Sequence, residues 1–127
     1  MQFTKKEDAI FVSKPEGTDV RYYIYPEFEI HANEVKPGTV QGWHHHNVIA
    51  ENLFILEGEL EAHWLDDDGN KQIRTVVPGD VIQAGTTSHT FVNVSDTICK
   101  FLVFRFVPDG TDKHELIKND RHPDVIN

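Results

Sequence analysis

Short runs of β-branched and aromatic residues recur along the chain, separated by Gly, Pro, Asn and Asp, and no segment sustains apolar residues at the 3.6-residue helical spacing. The pattern predicts strands near 9–13, 19–25, 28–35, 39–46, 50–57, 59–66, 71–77, 80–84, 89–94 and 98–107. So many short, evenly spaced strands imply an all-β sandwich or barrel. The clearest local unit is a hairpin, in which Leu60, Ala62 and Trp64 alternate with Glu59, Glu61 and His63. It turns at Asp67-Asp68-Gly69-Asn70 and returns through Ile73, Thr75 and Val77. The run Asp66-Asp67-Asp68 lacks the spaced ligands of a calcium loop and reads as part of that turn. Strand 98–107 is apolar on both faces except for Lys100 and Arg105, which predicts a central strand between two packed layers. Beyond Pro108-Asp109-Gly110 the chain turns polar, and Asp112 can cap a helix of one or two turns through Leu116 and Ile117. The polar first twenty residues suit an extra edge strand or an exchanged arm, and residues 120–127 a loose or docked end.

The 127 residues fit a single domain spanning 1–127. Apolar content of 39% with thirteen aromatics is enough for a real core. A formal charge of -9 argues against nucleic acid, whose phosphates need clustered Lys and Arg, and against anionic membranes. Cys99 is the only cysteine, which excludes an intrachain disulfide and gives no sign of an oxidising compartment. The first residues lack an apolar signal core and no stretch is long enough to span a bilayer, so the expected location is the cytoplasm.

The chemistry concentrates between Gly38 and Gly58. Residues two apart in a strand share a face, so His44 and His46 project together while His45 points away. After a short turn Glu51 opens the next strand and can bring a carboxylate beside them, and His89 can supply a fourth ligand after Gly85-Thr86-Thr87-Ser88. Neutral imidazoles bind zinc, iron, copper and nickel, and one carboxylate offsets part of the ion's charge while leaving positions open. A structural zinc site would more often be closed by cysteines.

These residues resemble a known family. The first cupin motif, G(X)5HXH(X)3,4E(X)6G, is filled by Gly38, His44, His46, Glu51 and Gly58. The second, G(X)5PXG(X)2H(X)3N, is met by Gly79, His89 and Asn93 in a segment one residue short, with Ala84 and Thr86 where proline and glycine are expected. The resemblance covers about residues 28–107 and implies a double-stranded β-helix, or jelly roll, often dimeric. It also implies one divalent ion (Fe, Mn, Ni, Cu or Zn) inside the barrel on His44, His46, Glu51 and His89.

The remaining polar residues read more plainly. His45 suits a supporting or packing role, while His31, His63, His114 and His122 are expected in solvent. Trp43 is expected between the sheets, and Cys99 reads as a small core residue. Arg105, a charge in an apolar strand, must be paired or solvated, either in an ion pair or as a clamp on a substrate carboxylate. Phe91, Leu53, Ile55 and Phe104 are candidate cavity walls, with Gln83, Tyr22, Tyr23 and Tyr25 weaker ones.

Three functions follow. The leading one is a metal-dependent enzyme acting on a small organic molecule, with dioxygenase chemistry favoured, isomerase, cyclase and lyase chemistry close behind, and Glu51 as a catalytic proton carrier as well as a ligand. The others are a binding or sensing module that turns nothing over, and a metal-free sugar epimerase using histidine and tyrosine.

Overall fold

A computed structural model describes residues 1–126. After a short 3-10 helix at Lys6–Asp8 come nine strands: β1 (Ile10–Ser13), β2 (Thr18–Ile24), β3 (Phe28–Val35), β4 (Ala50–Glu57), β5 (Leu60–Leu65), β6 (Lys71–Val76), β7 (Val81–Gln83), β8 (His89–Val92) and β9 (Cys99–Phe106). One helix, α1 (His114–Asn119), follows. The strands form a six-stranded sheet in the order β1-β2-β3-β9-β4-β7 and a three-stranded sheet in the order β6-β5-β8, all pairs antiparallel. This is the expected all-β jelly roll. Among the described residues, no helix is long and apolar enough to cross a membrane.

The core lies between the sheets. Val35, Leu53, Ile55, Phe101 and Val103 from the large sheet meet Leu60, Ala62, Val76 and Phe91 from the small one. Each alternates along its strand with a residue on the opposite face, the period-2 rule at work. Gly58 shows why the link from β4 to β5 needs glycine. Its φ is +73°, and a Cβ there would sit 2.6 Å from the Ile98 carbonyl oxygen. Asn93, fully buried, donates to the carbonyls of Val35 and Thr97 and accepts from Ser95, tying down the turn into β9.

Four expectations need correction. Segment 39–46 is not a continuous strand: it touches β8 only through bridges at Val40↔Val92 and His44↔His89. The partner numbers sum to 132 at the first bridge and 133 at the second, so one extra residue is accommodated at Gly42-Trp43, as in a β-bulge. Trp43 is consequently thrown outward, 45% exposed, rather than packed between the sheets. In the hairpin, the returning strand turns Gln72, Arg74 and Val76, rather than the apolar-looking Ile73, Thr75 and Val77, toward Trp64, Ala62 and Leu60. Ile73 and Val77 are exposed as a result. Strand β9 is indeed central, between β3 and β4, but only one of its faces is covered: Phe104 and Phe106 lie on the open outer face.

The ends behave nearly as expected. Strand β1 adds an edge to the large sheet through β2, and Asp112 accepts a hydrogen bond from the His114 N–H at the start of α1. Leu116 and Ile117 on that helix are exposed, so it packs against no core. The acidic turn after β5 is built on Asp66, whose carboxylate accepts from the N–H groups of Asp68 and Asn70.

Candidate metal centre

The inward positions of three segments converge at one end of the core. His44 and His89 are locked side by side by reciprocal backbone bonds, His44 N–H to His89 O at 3.0 Å and His89 N–H to His44 O at 2.9 Å. His46 follows two residues on, and Glu51 lies on the inward face of β4, one register step from the outward Ala50. The bulge at Gly42-Trp43 puts the two histidines in phase with β8, so imidazoles from both strands face one point. Each of the four side chains offers one ligand atom, and these atoms all lie within 4.8 Å of one another. A group so arranged could hold a metal ion.

The second contacts of the imidazoles fit that role. The Nδ1 of His44 is 2.9 Å from the Gly42 carbonyl oxygen and that of His89 is 2.7 Å from the Thr87 oxygen. Each carbonyl can only accept, so each Nδ1 carries a proton, and in the neutral ring each Nε2 keeps its lone pair for a ligand. The Nε2 of His89 is buried without a hydrogen-bond partner. A buried nitrogen lone pair left unmatched is costly, and a cation at the centre would satisfy it.

Glu51 holds the cluster together. Its Oε2 lies 2.7 Å from His46 Nε2 and 3.7 Å from His89 Nε2, while its Oε1 accepts from Arg105 Nη2 at 3.0 Å. Burial acts to raise the Glu51 pKa, but His89, Arg105 and His46 together outweigh it and hold the carboxyl down at about 2. Burial works against a charged His89, yet Glu51 and the Thr87 carbonyl lift its pKa above the ordinary value. The carboxylate is therefore a permanent anion among nitrogen ligands.

Arg105 thus takes the ion-pair role: β9 pairs Arg105 with Glu51 on one side and Glu29 on the other. Glu29 in turn accepts from His31, whose Nε2 lies 2.9 Å away. His31 is buried rather than solvated, and burial lowers its pKa in spite of Glu29. His63 is also largely covered and pairs with Glu61 at 2.8 Å, whereas His122 stays in solvent and His114 is exposed. His45 is exposed and has no packing role.

Two cavities flank the four-residue cluster. A small one of about 150 Å³ is lined by His44, Glu51, Leu53, Phe91 and Arg105, together with Tyr22, His31, Gln41 and Lys14. A larger one of about 460 Å³ is lined by His89 and Phe91 together with Trp64, Arg74, Ile82 and Gln83. Phe91 lines both cavities and Leu53 the small one. Ile55 is fully buried in the core and reaches neither cavity, and Phe104 points out of the opposite face of β9, 40% exposed. Tyr23 and Tyr25 line neither cavity. Trp64, Arg74, His31, Gln41 and Lys14 were not read from sequence as cavity residues. The hairpin alternation could have found Trp64, and the register of β6 would have added Arg74.

Comparison with known proteins agrees with this architecture. The family model described as Cupin domain matches residues 33–105. No curated protein matches the sequence. Among solved structures, an oxalate oxidase in complex with the substrate analogue glycolate superposes with a TM-score of 0.69 at 21% identity, over 83% of this chain and 59% of that one. The Lactobacillus farciminis oxalate decarboxylase formate complex gives 0.69 at 21% identity, over 91% of this chain and 40% of that one. Peruvianin-I, a cysteine peptidase from Thevetia peruviana latex, gives 0.65 at 16% identity, over 82% and 75%. This chain spans about three-fifths of the length of the oxalate oxidase and two-fifths of the decarboxylase. At these identities the likeness establishes the fold, which proteins with differently named activities share.

Proposed function

Because the chain belongs to the cupin family, we propose that it is a metal-dependent enzyme acting on a small organic molecule, with one divalent ion held by His44, His46, Glu51 and His89. The observation that carries this reading is the buried, unpartnered Nε2 of His89 aimed into a group of four ligand atoms within 4.8 Å of one another. Three imidazoles and a carboxylate suit Fe, Mn, Ni, Cu or Zn, and four protein ligands leave room for a further molecule in a six-coordinate shell. Such an ion, when bound, supplies a Lewis acid for a substrate oxygen or a site for oxygen activation.

The chain's own residues do the rest. The carbonyls of Gly42 and Thr87 fix two imidazoles in the ligating tautomer. Arg105 holds Glu51 ionised and oriented, which favours Glu51 as ligand over Glu51 as proton carrier, since a carboxyl at about 2 is a weak base near neutrality. Phe91 and Leu53 exclude water from one wall. Dioxygenase-type chemistry is the reaction class we favour, ahead of isomerase, cyclase and lyase chemistry. The oxidase name of one structural neighbour is in keeping with redox chemistry on a small acid, and the decarboxylase name of another with lyase chemistry.

A second reading, the metal-free epimerase, draws on Tyr22 and His31, whose rings meet edge to face at 4.6 Å beside the small cavity. Metal analysis of untagged protein separates the two. We expect one ion per chain and a thermal stabilisation on adding it, on the order of 4 kcal/mol at a thousandfold excess over Kd. His44→Ala and His46→Ala remove both effects. Oxygen uptake by loaded protein with phenols, diketones, thiols and small organic acids then distinguishes an enzyme from a binding module, which would bind saturably without turnover. Full activity after complete chelation would overturn the metal reading.

A further inference from the structure

The larger cavity holds a charge that the metal centre does not use. Strand β6 pairs Arg74 with Ala62, which pairs on its other side with Phe91, so the three lie in one row on the inward face of the small sheet. The neighbouring row is Gln72, Trp64 and His89. Ala62 is the smallest member of its row, and the space it leaves opens between the Arg74 guanidinium, the Trp64 ring and the Phe91 ring. His89 lies on the same wall, so this cavity reaches one of the four ligands.

Arg74 is free to bind something. Lys100, Lys113 and Arg105 are held in ion pairs and Arg21 lies 4.7 Å over the Phe11 ring; the Arg74 side chain, the cation that lines this cavity, makes no ion pair or hydrogen bond among the described residues. The acid that shares its cavity, Asp80, is engaged by the Val77 N–H at 2.9 Å. In a chain with 21 acidic and 12 basic residues, an arginine with no acid in ion-pair contact, beside the apolar walls of Trp64, Ile82 and Phe91, offers a place for an anion. Volume sets the size of the ligand. About 460 Å³ falls within the ~300 to 1,000 Å³ range of organic-ligand sites, and about 150 Å³ falls below it.

We propose that the cavity between β6 and β7 binds an organic anion with an apolar or aromatic body, its carboxylate on Arg74 and its body against Trp64 and Phe91, so that its other end faces the metal ligands at His89. The proposal rests on the metal-centre reading only for what happens at that far end. It makes Arg74 a residue that selects substrates by charge.

The test uses 3-phenylpropionate and its uncharged amide as probes of the full-length protein. The chain has two tryptophans, so Trp43→Phe leaves Trp64 as the sole reporter of the cavity. Binding is followed by Trp64 emission in zinc-loaded and in chelated protein, and zinc content is measured on the same samples. We expect saturable binding in which the carboxylate exceeds the amide at least about tenfold, a carboxylate–Arg contact being worth roughly 1.5–3 kcal/mol. Arg74→Gln should bring the two probes within about twofold while leaving the amide's affinity unchanged. Arg74→Lys should retain part of the difference and guards against a folding defect.

Equal affinities in the unsubstituted cavity would overturn the proposal, as would a preference that survives Arg74→Gln. The metal reading is judged separately by zinc stoichiometry. An Arg74-dependent preference in protein that takes up neither zinc nor iron, manganese, nickel or copper would keep the anion site and reject the metal centre. One zinc per chain with no Arg74-dependent preference would do the reverse.

Discussion

Arg105 reaches Glu51 from the adjacent strand, and with Glu51 only 6% exposed the pair is shielded from the screening that weakens surface ion pairs. Arg105→Gln should therefore weaken metal binding by roughly ten- to a hundredfold, the usual cost of losing a residue that orients a ligand. Competition against a chromogenic chelator measures this, and unchanged affinity would make Arg105 a bystander. Cys99 carries a pH prediction. Burial, with a smaller contribution from Glu59, raises its thiol from 9.0 to about 11, so below pH 9 the thiol is protonated in both the folded and the unfolded chain. Between about pH 9 and 11 the unfolded chain loses the proton and the folded one keeps it, so stability falls as pH rises across that window. The loss amounts to at most about 3 kcal/mol. Urea titrations at the two ends of the window should show the wild type losing more stability than Cys99→Ala, and parallel losses would refute the assignment. These side chains differed in how legible they were. His44, His46, Glu51 and His89 stand at motif spacings and were readable, whereas the partner of Arg105 depends on which strands flank β9.

The hairpin of β5 and β6 shows where alternation alone misleads. Ile73, Thr75 and Val77 look like an inward set, but the five-residue connection 66–70 sets a register that turns Gln72, Arg74 and Val76 inward. A shift of one residue exchanges the two faces of a strand. Val76→Ala should thus cost about 2 kcal/mol through a core cavity, and Ile73→Ala, at a position 55% exposed, less than about 0.5 kcal/mol. Denaturation midpoints of the two variants decide, and the reverse order would restore the register that apolarity suggests. Most strands were legible to within a residue or two because β-branched runs and turn residues mark them locally. Segment 39–46 was not, because Gly42 and the extra residue beside it break the ladder while leaving the composition strand-like. Segment and motif together still put His44 and His46 on one side, which is why the four candidate ligands are brought together even though their element was drawn too regular.

The outer face of the large sheet remains open in a single chain. Across it, register aligns Ala32, Leu102, Phe54 and Val81 in one row, Phe28, Phe106 and Ala50 in another, and Ile30, Phe104 and Asn52 between them. Phe54, Phe104 and Phe106 are each about 40% exposed, so three adjacent aromatics present a continuous apolar surface with no acid among these rows. In a molecule of charge -9 a second copy can approach this face without bringing acids of these rows together. A two-fold dimer built on it would be isologous, and each phenylalanine would contribute twice. Light scattering should accordingly give the mass of two chains. The double variant Phe54→Glu, Phe104→Glu should give one, since four carboxylates would then face each other in a desolvated contact. Both substitutions lie on the face opposite the metal ligands, so zinc uptake should persist in the monomer. A wild-type chain that stays monomeric at high concentration, or a variant that dimerises as before, would show that the second copy docks elsewhere or not at all. Loss of zinc along with the dimer would instead mean that the two faces of the large sheet are energetically coupled, and that the metal centre depends on assembly.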